Sequence, residues 1–336
     1  MNDDAQSTNE IIAALQELLV ERLHFLLEVL FPELKADVTF ALQSKGKLLS
    51  SSVTELPSGV WALLTMLTAQ CIAPEIDPFY ASSVAVAVEC FVCALDLLDD
   101  IEDEDQTPVV LSLGSARTLN VATALLTLAQ KAILSLMQHD IAPDLIVHLL
   151  DVLQSLTLRA TSGQHRDLLA EKRLAEDLTQ EECIAIARDK AGAIMGLASK
   201  LGAICAGAVD EEIEEFSSLG ELLGIAHQLD NDAHDLYYLL HTGSVLEETS
   251  RSVKTDLLRH KKTLPVVIAA KHVQGLQSRT KAADKENEDY QQALHEGIIT
   301  TWGMSLLYRE RARECLQHIE ARRPITPAFR LLLGFD

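Results

Sequence analysis

Residues 95–105 read Leu-Asp-Leu-Leu-Asp-Asp-Ile-Glu-Asp-Glu-Asp and follow the most apolar stretch of this 336-residue chain. Apolar residues at helical spacing predict a long buried helix over residues 79–103. On that helix Asp99 and Asp103 are four residues apart and share a face, with Asp100 beside them. Like charges at a helix C-terminus repel one another and oppose the helix dipole, so a compensating cation is expected there. Mg²⁺ prefers such oxygen ligands.

The charge balance of the chain leaves a second interpretation of this cluster open. The chain carries 50 acidic and 28 basic residues, which gives a formal net charge of -22. So negative a surface repels nucleic acid and anionic membranes, and we expect neither as a partner. In a protein this acidic, the cluster could also be a solvated helix end, and other segments must decide between the two interpretations.

The rest of the chain shares the helical character of this stretch. Apolar residues make up 48% of it and aromatic residues only 4%, with 9 Pro and 15 Gly. Such a composition favours helix over sheet. Apolar residues recur at helical spacing almost throughout, without a linker or a break in composition. We therefore predict an all-α protein with a single domain over residues 1–336, of which residues 1–9 are disordered. Residues 106–114 and most of residues 241–260 are expected to be loops.

The expected location of the protein is the cytoplasm. The chain starts with a polar, acidic run rather than a signal peptide, and its six Cys lie mostly in apolar stretches. Acidic or polar residues interrupt the apolar stretches, so we expect no stable insertion into a membrane.

A second oxygen-rich cluster occurs at residues 224–235, which read Gly-Ile-Ala-His-Gln-Leu-Asp-Asn-Asp-Ala-His-Asp. Asn231, Asp232 and Asp235 offer oxygen ligands on one side of a predicted helix, and Gln228 lies one turn earlier. Cations are found elsewhere in this acidic chain, at Lys190, Lys254, Lys261 and Lys262. Two such clusters with a few lysines indicate a diphosphate held between metal ions and lysines. Ionisation of an allylic C–O bond suits this arrangement, because the cations stabilise the departing diphosphate.

These motifs resemble those of the trans-polyprenyl diphosphate synthase family, from about residue 44 to residue 265 and beyond. Residues 99–103 resemble the first Asp-rich motif of the family, and residues 228–235 resemble the second, Gln-x-x-Asp-Asp-x-x-Asp, with Asn at the first Asp. Gly-Gln at 163–164 with Asp167, Lys190, and residues 256–265 resemble three further family motifs: Gly-Gln-x-x-Asp-Leu, a diphosphate-binding lysine and Asp-Leu-x-x-Gly-Lys-x-Thr-Leu-Pro.

The resemblance implies a bundle of long helices around a deep apolar cavity, with the two acidic motifs facing each other at its mouth. It also implies Mg²⁺, as three ions, and a homodimer. The implied metal ligands are Asp99, Asp100, Asp103, Asn231, Asp232 and Asp235, of which the first three are catalytic. The residues implied to bind the diphosphate of the substrate are Gln164, Lys190, Gln228, Lys254 and Lys261.

Departures from the family pattern bear on the second substrate. The family binds isopentenyl diphosphate through a Gly-Lys-Arg-x-Arg loop, whereas residues 46–50 read Gly-Lys-Leu-Leu-Ser. In the family a His seven residues before the first motif assists binding, and two Arg follow that motif. Here Val92 stands at the position of the His, and no Lys or Arg occurs between Asp99 and Ala116. Without these charge-assisted contacts a second diphosphate should bind poorly. Three arginines are candidates to replace the missing contacts to the allylic diphosphate: Arg188, Arg251 and Arg259.

Our leading interpretation is Mg²⁺-dependent ionisation of an allylic prenyl diphosphate, followed by cyclisation or elimination to a terpene. In the family an aromatic residue near this position often limits the length of the substrate. The resemblance therefore implies that the small residue Ala94 leaves room for a C15 to C20 substrate. Three alternatives remain: prenyl transfer to a peptide or aromatic acceptor, conventional synthesis of a prenyl diphosphate, and a non-catalytic subunit of such a synthase.

Overall fold

The computed structural model describes residues 2–50, 59–139, 141–242, 261–272 and 288–335. Every regular element in these ranges is helical, which confirms the predicted all-α class. The α-helices are α1 (Asn2–Leu27), α2 (Pro32–Ser44), α3 (Val60–Ile72), α4 (Pro78–Glu102), α5 (Pro108–Leu134), α6 (Pro143–Ala170), α7 (Gln180–Ala187), α8 (Ala193–Cys205), α9 (Asp210–Thr242), α10 (Leu264–His272), α11 (Glu288–Glu320) and α12 (Pro327–Leu333). A π-helical segment, Arg188–Gly192, joins α7 to α8.

Local sequence signals account for several helix starts. Pro78 opens α4, and the side chain of Asp77 accepts a hydrogen bond from the Phe79 amide at 2.9 Å. At the start of α7 the Thr179 hydroxyl accepts from the Glu182 amide, while the Glu182 carboxylate accepts from the Thr179 amide. This reciprocal capping box satisfies two donors that a helix start leaves open.

Two local predictions differ from the structure. Residues 106–114 are not a loop throughout, because α5 already begins at Pro108, a residue suited to the first helical position. Gly114, at φ 73°, interrupts the helix with a kink that only glycine adopts easily. Residues 2–9, predicted to be disordered, belong to the backbone of α1. Most of the loop predicted at 241–260 lies outside the described residues.

The chain folds into two compact units, and the single domain stays a prediction. Unit 1 comprises residues 1–155, 195–220 and 315–336. Its centre is α4, in which every residue from Ala81 to Ala94 is buried. Helices α1, α3 and α5 pack against it. The burial of so much apolar surface supplies most of the stability of such a unit and holds the acidic end of α4 in place.

Unit 2 comprises residues 156–194 and 221–314. One buried apolar cluster in it joins α7, α9 and α10 and includes Cys183, Leu229 and Val267. A second cluster joins α9, α10 and α11 and includes Leu236 and Leu294. These clusters fix the middle part of α9, which carries the second acidic motif.

Two helical stretches of the described chain are long and apolar enough to cross a membrane, namely Pro78–Glu102 and Pro108–Gln138. Of the most apolar window in each, 83% is buried inside the protein in the first but only 33% in the second. The first stretch is thus a core helix of unit 1, as its burial requires. The second leaves apolar side chains exposed, among them Leu111, Leu119 and Met137.

Candidate active site

The first acidic motif lies at the C-terminal end of α4 in unit 1, as its sequence predicts. The helix ends at Glu102, and Glu104 adopts a positive φ of 51°. Asp99 is half-buried, whereas Asp100 and Asp103 are buried. Turn hydrogen bonds of 2.8 Å, including one from the Asp103 amide to the Asp99 carbonyl oxygen, hold this end together. The three carboxylates therefore lie together at one helix end, where Asp99 is partly exposed and Asp100 and Asp103 are buried.

The structure supplies a compensating cation for this helix end from within the chain. Lys45 lies with its Nζ 2.5 Å from Asp100 Oδ2, and the Thr107 hydroxyl donates to the same oxygen at 2.8 Å. Burial raises the pKa of Asp100, although Lys45 and Thr107 oppose that effect. The predicted need for positive charge is thus met, at Asp100, by a lysine that the sequence reasoning missed. The polar segment Lys-Gly-Lys at residues 45–47 is the sequence feature that could have identified this lysine.

Residues 45–48, called here the lysine strap, lie along one face of α4. Lys47 Nζ is 2.8 Å from Asp96, and the Glu89 carboxylate accepts hydrogen bonds of 3.1 Å from the amides of Leu48 and Ala62. Burial alone would lower the pKa of Lys47, but the carboxylates of Asp96 and Glu89 outweigh it and raise that pKa. Lys47 therefore remains a charged, paired ammonium although only 6% of it is exposed.

In unit 2 the π-helical segment presents Lys190. Two glycines let helices approach this segment closely: a Cβ on Gly163 of α6 would lie 2.8 Å from the Lys190 amide nitrogen, and one on Gly224 of α9 would lie 2.7 Å from Gly192 Cα. Any larger residue would push the helices apart. π-helical turns often mark functional sites, because the extra residue re-aims the side chains around it.

Ion pairs fasten the same segment to α6 and α9. Arg159 lies 2.7 Å from Asp189 and 2.7 Å from Glu221, and Arg166 also pairs with Asp189. Arg188, one candidate to replace the missing arginines, pairs with Glu221 at 3.5 Å. The other two candidates, residues 251 and 259, lie outside the described residues. Arg159 and Arg166 are seven residues apart, a spacing that puts both on one face of α6 and could have been read from the sequence.

Lys190 belongs to a cluster of charged and polar groups. Its Nζ is 3.0 Å from Asp167 Oδ2, and Gln228 Nε2 donates to Asp232 Oδ1 at 2.8 Å. Burial raises the pKa of Asp232 to about 7; the Gln228 hydrogen bond, Lys190 and Lys261 pull it down, whereas Asp167 pushes it up. Asp232 keeps partial contact with solvent, yet the protein packed around it makes its negative charge costly. The structure thus brings the sequence-predicted Lys190, Gln228, Asp232 and Lys261 into one electrostatic neighbourhood.

Gln164, one helical turn before Asp167 on α6, has an unusual hydrogen-bonding state. Both polar atoms of its side-chain amide are buried, and neither has a hydrogen-bond partner among the described residues. An amide left without partners in a protein interior costs free energy, so such a group calls for an explanation. A polar ligand in contact with Gln164 would satisfy both atoms.

The remaining predicted site residues are Asn231, Asp235 and Lys254. The Asn231 side-chain amide lies 3.2 Å from His227 Nε2, and Asp235 is exposed on α9. Lys254 lies outside the described residues. Within the described ranges, no three side chains of His, Cys, Asp or Glu gather into a group that could hold a metal ion. The metal ligands therefore stay a prediction.

Comparisons with known proteins agree with this organisation. The Polyprenyl synthetase family model matches residues 59–297. The chain is 32% identical to the tryptophan prenyltransferase ComQ of Bacillus spizizenii over 156 residues, which are 46% of this chain and about half (50%) of that relative. It is 28% identical to the (2E,6E)-farnesyl diphosphate synthase of Mycobacterium bovis over 273 residues, covering 79% of this chain and 71% of that enzyme.

A solved structure shows the same fold. The polyprenyl synthetase from Streptomyces coelicolor superposes with a TM-score of 0.73 at 23% identity, covering 96% of this chain and 97% of its own. The family match extends over most of the chain, from α3 into α11, and takes in both acidic motifs, Lys190 and the glycines that pack around it. This chain belongs to the polyprenyl synthetase family.

Proposed function

We propose that this chain is an enzyme that ionises an allylic prenyl diphosphate with the help of Mg²⁺. The observation that carries the proposal is the polar cluster of unit 2. There Lys190 and Lys261 lie beside Asp232, whose pKa is raised to about 7, and Gln164 has two buried polar atoms without partners. An anionic ligand with a bound cation would satisfy the amide and lower the cost of the Asp232 charge.

The donors for Mg²⁺ in this proposal are Asp99, Asp100 and Asp103 of the first motif and Asn231, Asp232 and Asp235 of the second. Their oxygen atoms match the preference of Mg²⁺ for carboxylate and carbonyl ligands. Asp100 would bind Mg²⁺ only when Lys45 gives way, since the two are now paired. When bound, Mg²⁺ supplies positive charge to the diphosphate leaving group. Three ions, as the family resemblance implies, belong to the proposal.

The protein's own groups have three roles in the proposal. Lys190, Lys254, Lys261 and Gln228 bind the diphosphate, where ammonium groups make charge-assisted hydrogen bonds to phosphate oxygens. Gln164 donates through its amide to the bound substrate. Apolar helix surfaces accommodate a C15 to C20 prenyl chain and keep water from the carbocation. The small side chain of Ala94 supports this chain length, because a bulky residue there would shorten the space for the substrate.

The fate of the prenyl cation is the finer part of the proposal. Transfer to an uncharged acceptor, such as an aromatic side chain of a peptide, is our first candidate, because a relative at 32% identity is a tryptophan prenyltransferase. Pairing of Lys47 with Asp96 also disfavours a second diphosphate as acceptor. The second candidate is cyclisation or elimination to a terpene, which needs no acceptor and is compatible with the same loss of contacts.

We also propose a homodimer that works in the cytoplasm without inserting stably into membranes. Its interface would use the apolar side chains that α5 and the following turn leave exposed, including Leu111, Leu119 and Met137. Exposed apolar side chains on one helix are typical of protein contacts, whereas a net charge of -22 opposes an anionic membrane surface. Multi-angle light scattering that shows only monomer at micromolar concentration would contradict the dimer.

A product assay tests the proposed chemistry. The purified chain is incubated with Mg²⁺ and geranyl, farnesyl or geranylgeranyl diphosphate, each alone, with isopentenyl diphosphate, or with a tryptophan-containing peptide. We expect pyrophosphate release in the absence of isopentenyl diphosphate, and either a prenylated peptide or a hydrocarbon. Elongated diphosphate as the sole product would overturn both candidates for the cation's fate, although not the ionisation step. Asp37→Asn, at an exposed ion pair with Arg117, serves as a matched control for Asp99→Asn.

A further inference from the structure

The lysine strap and α4 form a ladder of contacts between opposite charges. Glu89, Asp96 and Asp100 are separated by seven and four residues, a spacing that puts all three on one helical face. Glu89 accepts a hydrogen bond from the Leu48 amide. Further along the helix, Asp96 pairs with Lys47 and Asp100 pairs with Lys45. Each step of the strap is therefore matched by one carboxylate.

Packing holds the strap in this position. Leu48 is buried, and a Cβ on Gly59 would come within 2.7 Å of its Cγ, so Gly59, directly before α3, packs closely against it. The Trp61 ring lies 5.9 Å from Lys47 Nζ and adds a cation–π contact. Lys47 is thus enclosed by Asp96 on one side and an aromatic ring on another, with only 6% of its surface exposed.

An acidic residue such as Asp96 is unusual in so apolar a helix. Its neighbours Ala94 and Leu97 are fully buried, and the helix carries its motif carboxylates only from Asp99 onward. The Asp96 side chain is partly exposed (36%), but its partner Lys47 is buried, and Lys47 Nζ lies 2.8 Å from Asp96. A buried lysine stays charged at low cost only when a carboxylate neutralises it, and Asp96 does so here. A lysine that is already paired with a carboxylate of its own chain has little affinity left for a phosphate anion.

We infer that Asp96 determines the class of acceptor, by occupying Lys47 so that a diphosphate-bearing acceptor is rejected and an uncharged one is accepted. This inference rests on the proposed function for its meaning, but it concerns binding and is tested by binding. Lys47 is the one cation left of the Gly-Lys-Arg-x-Arg pattern at residues 46–50, since Leu48 and Ser50 stand where arginines would add charge. A rejected second diphosphate leaves the prenyl cation to an uncharged nucleophile or to its own double bonds.

The test is titration calorimetry with isopentenyl diphosphate, with the allylic site filled by Mg²⁺ and the unreactive farnesyl thiodiphosphate. We expect no saturable binding to the wild-type chain. Asp96→Asn keeps the shape and removes the charge, and we expect it to bind saturably, with a Kd at least about tenfold below the weakest binding that the titration detects. The double variant Lys47→Met/Asp96→Asn should lose that gain, and Asp37→Asn should behave as wild type.

Three results would overturn the inference: binding of isopentenyl diphosphate by the wild-type chain, no gain in a folded Asp96→Asn variant, or a gain that persists without Lys47. Circular dichroism checks that each variant is folded. If Asp96→Asn does not fold because Lys47 is left buried without its partner, Asp96→Glu and the wild-type titration still decide the matter. Asp96→Glu keeps the negative charge and should bind isopentenyl diphosphate no better than the wild-type chain. Saturable binding of isopentenyl diphosphate by either protein would contradict the inference. Failure of the proposed function is a separate result, seen as no pyrophosphate release from farnesyl diphosphate alone.

Discussion

The two acidic motifs of this chain contain similar residues and yet differ in how their charge is balanced. At the end of α4, Asp100 is paired with Lys45 and hydrogen-bonded to Thr107. On α9, Asp232 receives one hydrogen bond from neutral Gln228, and its pKa rises to about 7. The first motif thus has an internal counter-ion, whereas the second holds a carboxylate that is costly to ionise. A cation that enters the protein should stabilise the second motif more than the first.

Apart from the Asp99→Asn test given last, the largest effect is expected from Lys190→Met. Loss of a charge-assisted contact to the leaving diphosphate should lower kcat/KM for farnesyl diphosphate by about 100-fold. Steady-state assays of pyrophosphate release measure it. Lys200→Met is the matched control, because Lys200 pairs with exposed Glu214 in unit 1 and should leave the rate unchanged. Equal rates for the wild type and Lys190→Met would remove Lys190 from the account.

Gly163→Ala tests whether the α6 contact positions the π-helical segment. The new Cβ would lie 2.7 Å from the Asp189 carbonyl carbon, so the backbone must move. We expect a loss of about 1–3 kcal/mol in the free energy of unfolding and a raised KM. Gly303→Ala is the control, since nothing lies within 4 Å of a Cβ there. A Gly163→Ala variant as stable and active as wild type would mean that this contact positions nothing.

Asp232→Asn tests the second motif through the pH dependence of the free energy of unfolding. The carboxyl protonates below about pH 7 in the folded protein but near pH 4 when unfolded, so stability without metal falls as the pH rises between these values. The amide removes this loss and should stabilise the metal-free protein by about 1–3 kcal/mol at pH 8 and little at pH 4. Denaturant unfolding at both pH values measures it. A destabilised Asp232→Asn variant at pH 8 would contradict the assignment.

The smallest effect is expected from Lys45→Met. Without its internal counter-ion, Asp100 becomes available to a metal, so we expect the affinity for Mg²⁺ to rise by about three- to tenfold. Calorimetric titration with Mg²⁺ alone measures it, with Lys35→Met, at an exposed pair with Glu28, as the control. An unchanged or weaker affinity would show that Lys45 does not compete for Asp100.

Local patterns predicted much of this fold. The apolar run before Asp99 predicts the buried helix that the structure contains, because burial of a periodic apolar face is what stabilises a helix in a protein. The Thr179–Glu182 capping box was also readable, since it needs only four consecutive residues. The loop predicted at residues 106–114 overlooks that proline suits a helix start, and α5 begins at Pro108.

The parts of the site that escaped prediction depend on distant contacts. Lys45 and Asp100 are 55 positions apart in the chain, and no spacing rule links them. Gln164 could be placed by resemblance, but its buried amide without partners is visible only in the packed structure. Residue types and motif order therefore supply the candidate groups, whose part in the reaction stays a prediction, while the balance of charge among the described ones comes from tertiary packing.

Release of pyrophosphate from farnesyl diphosphate is the most direct test of the central claim. The wild-type chain, Asp99→Asn and Asp37→Asn are each assayed with Mg²⁺ and again after chelation, without isopentenyl diphosphate. We predict Mg²⁺-dependent release by the wild type and by Asp37→Asn, and at least a roughly 100-fold loss in folded Asp99→Asn. Release that persists after chelation, or an Asp99→Asn variant as active as wild type, would contradict the account.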